Sequence, residues 1–295
     1  MCDHEPCAAR PIIFVHGFQG SFDDFVPMMQ GMVAKDARYD GYKTAGTDDP
    51  KSWAARSIPR RQWLFGFDFY LKHAADGRGS YTAGPGRVGS NMRFHCPSVT
   101  PGGHLVGDTI DYTGGFTHEY ADDLAAFVAD VQRATGATRI DLVGHSMGGM
   151  IVRSYLAYYG GSQITDRALL LSSPIRGVSL ISFLELFPVT GPSWQGFHEI
   201  AELDGGSIAS RVHFSRCGET DKGPFGVKLL AEESDHPPPT QFYVMSGGSD
   251  IEVPYDTADH PMELSHEVVP GASHSGILKD DLTRTRATQL LGGAF

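Results

Sequence analysis

Apolar residues recur along this chain in two forms, short unbroken runs and longer stretches spaced every three or four positions. Unbroken runs fall at residues 11–15 (PIIFV), 62–70 (QWLFGFDFY), 139–143 (RIDLV), 168–172 (ALLLS), 241–246 and 267–269. A run that is apolar on both faces suits a strand inside a parallel sheet, covered by helices on each side. Helical spacing runs from Asp23 or Asp24 to about Asp36 and from Met147 to about Tyr159. It holds again from Leu278 to Leu291, and from Thr117 to about Ala134, where Tyr120, Leu124, Phe127, Val128 and Val131 share one stripe. Strands alternating with helices predict one α/β domain over residues 1–295, built on a mostly parallel sheet with right-handed crossovers.

Two excursions interrupt this alternation. Residues 71–116 are rich in Gly, Ser, Pro and Thr and keep no period, which predicts a long surface loop insertion. His73, His95, His104 and His118 crowd this region with Asp108 and Asp111, but their spacing matches no tight ligand pattern. They read as a polar loop and not as a metal site. Residues 175–238 form the second excursion, with an apolar segment at 179–187 and a closing triple proline at 237–239.

The formal net charge of −11 argues against a nucleic-acid partner, because phosphates are held by excess Lys and Arg. It reads as a solubility feature. No apolar run approaches the roughly 18 residues that a membrane-spanning helix needs. The first residues, MCDHEPCAARP, lack the pattern of a secretory leader. The compartment stays open, leaning to a secreted protein whose leader has been removed, with the cytoplasm as the alternative. Cys2, Cys7, Cys96 and Cys217 contain no CxxC pair, so a zinc or redox motif is not expected. An even count permits Cys2–Cys7 and Cys96–Cys217 disulfides, and four free thiols fit equally well.

Candidate chemistry begins at Gly144-His145-Ser146-Met147-Gly148-Gly149, where a buried run meets a helical stretch. A serine on a very sharp strand-to-helix turn stands above the sheet edge with strained backbone, and small neighbours let adjacent chain pass close. The helix that follows aims its N-terminal amides at the same place, favouring developing negative charge. Ser146 is therefore the candidate nucleophile, and the amide of Met147 the first candidate oxyanion donor. A serine hydroxyl needs a base. Among 13 histidines, His274 stands out because it follows an expected strand and precedes a helix. His266, His260 and His16 are its rivals. Asp250, at the carboxyl end of the strand 241–246, is the candidate third member, with Asp256 and Asp259 as alternatives.

Taken in order along the chain, these landmarks resemble bacterial lipases and esterases of the α/β-hydrolase superfamily. The matching stretches are His16-Gly17-Phe18, the GHSMGG at 144–149, and Ser173-Pro174-x-Arg176-Gly177. Leu203 to Ser207, Asp250-x-x-Val253-Pro254 and His274 to Leu278 complete them. The resemblance implies a mostly parallel sheet flanked by helices, starting directly with the strand before His16 and lacking the extra N-terminal strands of fuller members. It implies Phe18 as the second oxyanion amide, the chain order Ser, Asp, His for the triad, and a cap or lid at 175–238. His16, Phe22, Phe25, His145, Leu184 and Phe187 are expected around the substrate, with Leu180, Ile181, Phe183, Trp194 and Phe197 as further apolar candidates. The expected substrate is a hydrophobic ester, a small molecule or a lipid at an interface, and no cofactor or metal is needed. Acyl transfer, thioester or lactone hydrolysis and polyester depolymerisation use the same triad. A catalytically idle, hydrolase-like binding protein is the alternative from another class.

Overall fold

The structure is a computed structural model, and it describes residues 10–44, 58–70, 98–99, 105–106, 120–178 and 225–293. All four cysteines, the histidines of the first excursion, and Leu184 and Phe187 lie outside the described residues.

The first strand, β1 (Ile12–Val15), is buried along its whole length. It leads through a short 3-10 turn at Phe22–Phe25 into α1 (Val26–Lys35). Ser21 caps that turn reciprocally with Asp24, and Pro27 falls in the first helical turn, where a missing N–H costs nothing. Next come the two-residue β2 (Lys43–Thr44) and β3 (Leu64–Phe67). Within the first excursion, β4 (Ser98–Val99) and β5 (Leu105–Val106) form a separate antiparallel pair. Then α2 (Tyr120–Thr135), β6 (Ile140–His145), α3 (Met147–Tyr158) and β7 (Thr165–Leu171) follow in regular alternation. The chain closes with α4 (Phe225–Asp235), β8 (Gln241–Gly247), β9 (Glu263–Val269) and α5 (Asp281–Leu290).

The seven longer-range strands form one sheet in the order β2-β3-β1-β6-β7-β8-β9, and every pair is parallel. Period-two alternation splits the core across this sheet. Ile13, Val15, Phe65, Phe67 and Leu142 pack beneath α2, α3 and Leu229 of α4. Ile12, Phe14, Leu64, Val143 and Leu169 pack on the opposite face against Met28, Met29 and Met32 of α1 and Ala287 of α5. Coverage on both faces explains why the central strands read as continuous apolar runs.

Three differences from the sequence reading have physical causes. Strand β9 begins at Glu263, four residues before the expected 267, because Leu264 and Val268 remain exposed at the sheet edge and leave no continuous apolar run. Strand β2 is too short to carry a pattern. Helix α4 lies inside the stretch 175–238, yet Leu229 is fully buried in the core and the Glu233 side chain is 1% exposed. This part of the expected cap is scaffold.

Candidate active site

Ser146 stands between β6 and α3 with φ 53° and ψ −127°, a backbone conformation that L-residues with a side chain rarely hold. Its amide donates to Leu171 O of β7 at 2.9 Å, which helps fix the turn. The glycines around it are required by close approach. A Cβ on Gly148 would meet the carbonyl oxygens of Val15 and His16 at 2.2 and 2.3 Å, and one on Gly144 would meet Gly149 Cα at 2.5 Å. The first turn of α3 can therefore press against the end of β1 only without side chains there. On the other side, a Cβ on Gly17 would lie 2.9 Å from Ser146 Cβ, so the His-Gly turn abuts the candidate nucleophile.

His274 lies in the turn between β9 and the 3-10 segment Gly276–Lys279. Its Nδ1–H donates to Asp250 Oδ2 at 2.9 Å. Asp250 Oδ1 accepts from the backbone amides of Val253 at 2.9 Å and Glu252 at 3.0 Å. Burial alone would raise this carboxyl, but the bonds from His274, Val253 and the Ser172 hydroxyl outweigh it and hold Asp250 below its ordinary value. His145, the last residue of β6, donates its Nε2–H to His274 O at 2.9 Å, tying β6 to the turn bearing the imidazole. Burial first, and the nearby His274 second, push His145 down to about 3, so it is a neutral donor at ordinary pH.

Ser146 and His274 line one cavity of about 270 Å³ together with Gly17, Phe18 and His145. Asp23, Asp24, Ser275 and Lys279 add polar groups, and Pro27 and Leu278 add apolar wall. No hydrogen bond joins Ser146 to His274, whose Nε2 instead lies 3.6 Å from Glu252 Oε2. Burial raises the Glu252 carboxyl, Asp250 adds to the rise and His274 opposes it. Met147 begins α3, so its amide has no partner within the helix.

The sequence profile described as alpha/beta hydrolase fold matches residues 88–197. No curated protein matches the chain. Among solved structures, the mature form of Bacillus licheniformis lipase BlEst2 is similar at 17% identity and a TM-score of 0.52, covering 99% of this chain and 95% of that one. Its propeptide form is similar at 15% identity and a TM-score of 0.54, covering 99% of this chain and 52% of that one. A Listeria innocua gene product is similar at 11% identity and a TM-score of 0.50, covering 95% and 92%. This chain has the α/β-hydrolase fold.

In α/β-hydrolase terms, Ser146 occupies the strand–turn–helix elbow after β6, and Asp250 and His274 follow at the carboxyl ends of β8 and β9. The rival histidines do not line the cavity. His266 Nε2 is 2.7 Å from Ser246 Oγ, and His260 stacks on Phe242 with ring centroids 4.2 Å apart. Of the alternative acids, Asp256 is exposed and Asp259 pairs with Arg176.

His16, Phe22 and Phe25 do not line the cavity among the described residues. Phe25 is fully buried against Phe14, with ring centroids 5.2 Å apart, so it belongs to the core. His16 is a post for the turn beneath Phe18. Its Nδ1 is 2.9 Å from Gly17 O, its Nε2 3.2 Å from Asp68 Oδ1, and its ring stacks on Phe69. Three contributors were missed in the sequence: Asp68, Glu252 and Ser172. Ser172 also has positive φ, at 43°, and its hydroxyl accepts from Gly247 N at 3.3 Å besides meeting Asp250. Its place at the carboxyl end of β7 was the available signal.

Proposed function

We propose that this chain hydrolyses a carboxylic ester through an acyl-enzyme formed on Ser146. The observation that carries the reading is a strained elbow serine sharing one cavity with an imidazole held by a buried carboxylate. The Ser146 hydroxyl attacks the ester carbonyl while His274 Nε2 takes its proton. The oxyanion rests on the amides of Met147 and Phe18. His274 returns the proton to the leaving alkoxide, and the alcohol departs. Water, deprotonated by the same imidazole, then attacks the acyl carbon, and the carboxylic acid leaves as Ser146 regains its proton. Asp250 keeps the proton on Nδ1 and stabilises the imidazolium between the two transfers. For His274 to reach Ser146, its Nε2 turns from Glu252 to the hydroxyl as substrate fills the cavity; such bonds commonly tighten only in the Michaelis complex. Phe18, Pro27 and Leu278 offer the apolar contact for a hydrophobic acyl or alcohol group.

A panel of p-nitrophenyl esters of increasing chain length tests this reading, run beside Ser146→Ala. The variant should fold like the parent and lose kcat by roughly 10³-fold or more, in line with other serine hydrolases that lack the nucleophile. Equal turnover by the two proteins refutes the proposal. Adding a competing alcohol and analysing the products separates hydrolysis from acyl transfer.

A further inference from the structure

A second cluster of ionisable side chains lies outside the cavity, where the loop after Asp250 meets the edge strand β9. We propose that Asp259, Glu263 and His266 bind one divalent transition-metal cation of the zinc class, clamping the acid-bearing loop to β9. One ligand atom from each residue lies within 4.8 Å of the other two. Ligands around a tetrahedral ion with bonds near 2.0–2.1 Å are about 3.3 Å apart, so modest side-chain rotation closes the set.

The cluster is unevenly satisfied: Arg176 holds Asp259 and the His260 amide donates to Glu263 Oε2 at 3.0 Å, while His266 keeps one buried nitrogen unbonded. Asp259 and Glu263 each bring a carboxylate oxygen within 4.8 Å of the His266 ligand nitrogen, so two acids crowd one imidazole. The His266 side chain is 4% exposed, and its Nδ1 is buried without a hydrogen-bond partner while lying 3.5 Å from Glu263 Oε1. Its other nitrogen is occupied, with Nε2 2.7 Å from Ser246 Oγ, and Tyr255 stacks on the ring with centroids 4.0 Å apart. With the proton on Nε2 and donated to Ser246, the Nδ1 lone pair faces two acids and gains nothing from either.

A histidine whose far nitrogen is anchored by hydrogen bonding is the usual posture of a metal ligand. One imidazole nitrogen and two carboxylate oxygens suit zinc-like ions better than calcium, which prefers oxygen alone. Arg176 Nε holds Asp259 Oδ2 at 3.0 Å and orients that carboxylate. The Asp259 side chain is 42% exposed, leaving room for water as a further ligand.

The test uses the full chain stripped with a chelator and titrated with zinc chloride, followed by calorimetry and thermal melting. Wild type should bind one zinc at this site, and its Tm should rise by about 5 °C at a hundredfold excess over Kd. Glu263→Gln relieves the crowding of the two acids, so its metal-free Tm should be no lower than that of wild type. Its zinc affinity should fall about tenfold or more, and the Tm rise should vanish. Asp259→Asn serves as the second variant if Glu263→Gln does not fold. A wild type without a zinc-dependent rise overturns the proposal, as does a rise that persists unchanged in the variants.

Discussion

Asp250 has almost no freedom left to rotate, since both carboxylate oxygens are engaged by Val253, Glu252, His274 and Ser172. That anchoring keeps the imidazole in one tautomer, with its proton on Nδ1. Asp250→Asn should therefore fold but lower kcat by roughly 10⁴-fold on the best ester of the panel, because an amide can stabilise the wrong tautomer. Ser172 acts through Asp250. Ser172→Ala should lower kcat about tenfold while leaving KM near its parent value, as removing one hydrogen bond to a charged group implies. A Ser172→Ala enzyme with full kcat would show that the backbone amides alone suffice. Ser146, Asp250 and His274 were legible as candidates in the sequence because their chemistry needs particular residue types at strand ends. Ser172, Asp68 and Glu252 were not, since supporting bonds depend on which side chains meet across the fold and leave no spacing rule.

The elements around the site are joined by polar ties as well as packing. Arg153 of α3 and Glu233 of α4 are both buried, with Nε to Oε1 at 3.0 Å, and Arg153 also donates to Ile175 O at 3.2 Å. His260 Nε2 is 3.3 Å from the same glutamate, so α3 is linked to the loop after Asp250. Glu233→Ala should destabilise the protein by about 3–5 kcal/mol in urea unfolding, because Arg153 is left as an uncompensated buried charge. Replacing both together, Arg153→Met with Glu233→Leu, should recover most of that loss. A single variant as stable as the parent would mean that water or another group reaches Arg153. The same helix marks the limit of reading elements from sequence. The central strands announced themselves through two apolar faces, whereas α4 lay in a stretch marked only by an apolar segment at 179–187 and a closing triple proline. Edge strand β9 was read short for the opposite reason, having one face open.

At the scale of the molecule, sensitivity to acid follows from a histidine buried neutral and a carboxylate held ionised. His145 is held at about 3 when folded, against 6.5 as its ordinary value, so the unfolded chain binds the extra proton first. Its contribution to stability is complete above about pH 6.5 and is lost progressively as pH falls towards 3. Asp250, also lowered, adds a loss in the same direction at the acid end. Tm should decline from about pH 6.5 downward, and His145→Asn should flatten that decline; a profile level to pH 4 would contradict it. The backbone twist at Ser146 has the converse effect on durability. A glycine at that seat meets no penalty for φ 53°, so Ser146→Gly should melt higher than both the parent and Ser146→Ala. A screen that rewards heat tolerance alone would then drift towards a tougher protein, discarding first the serine on which the proposed chemistry depends.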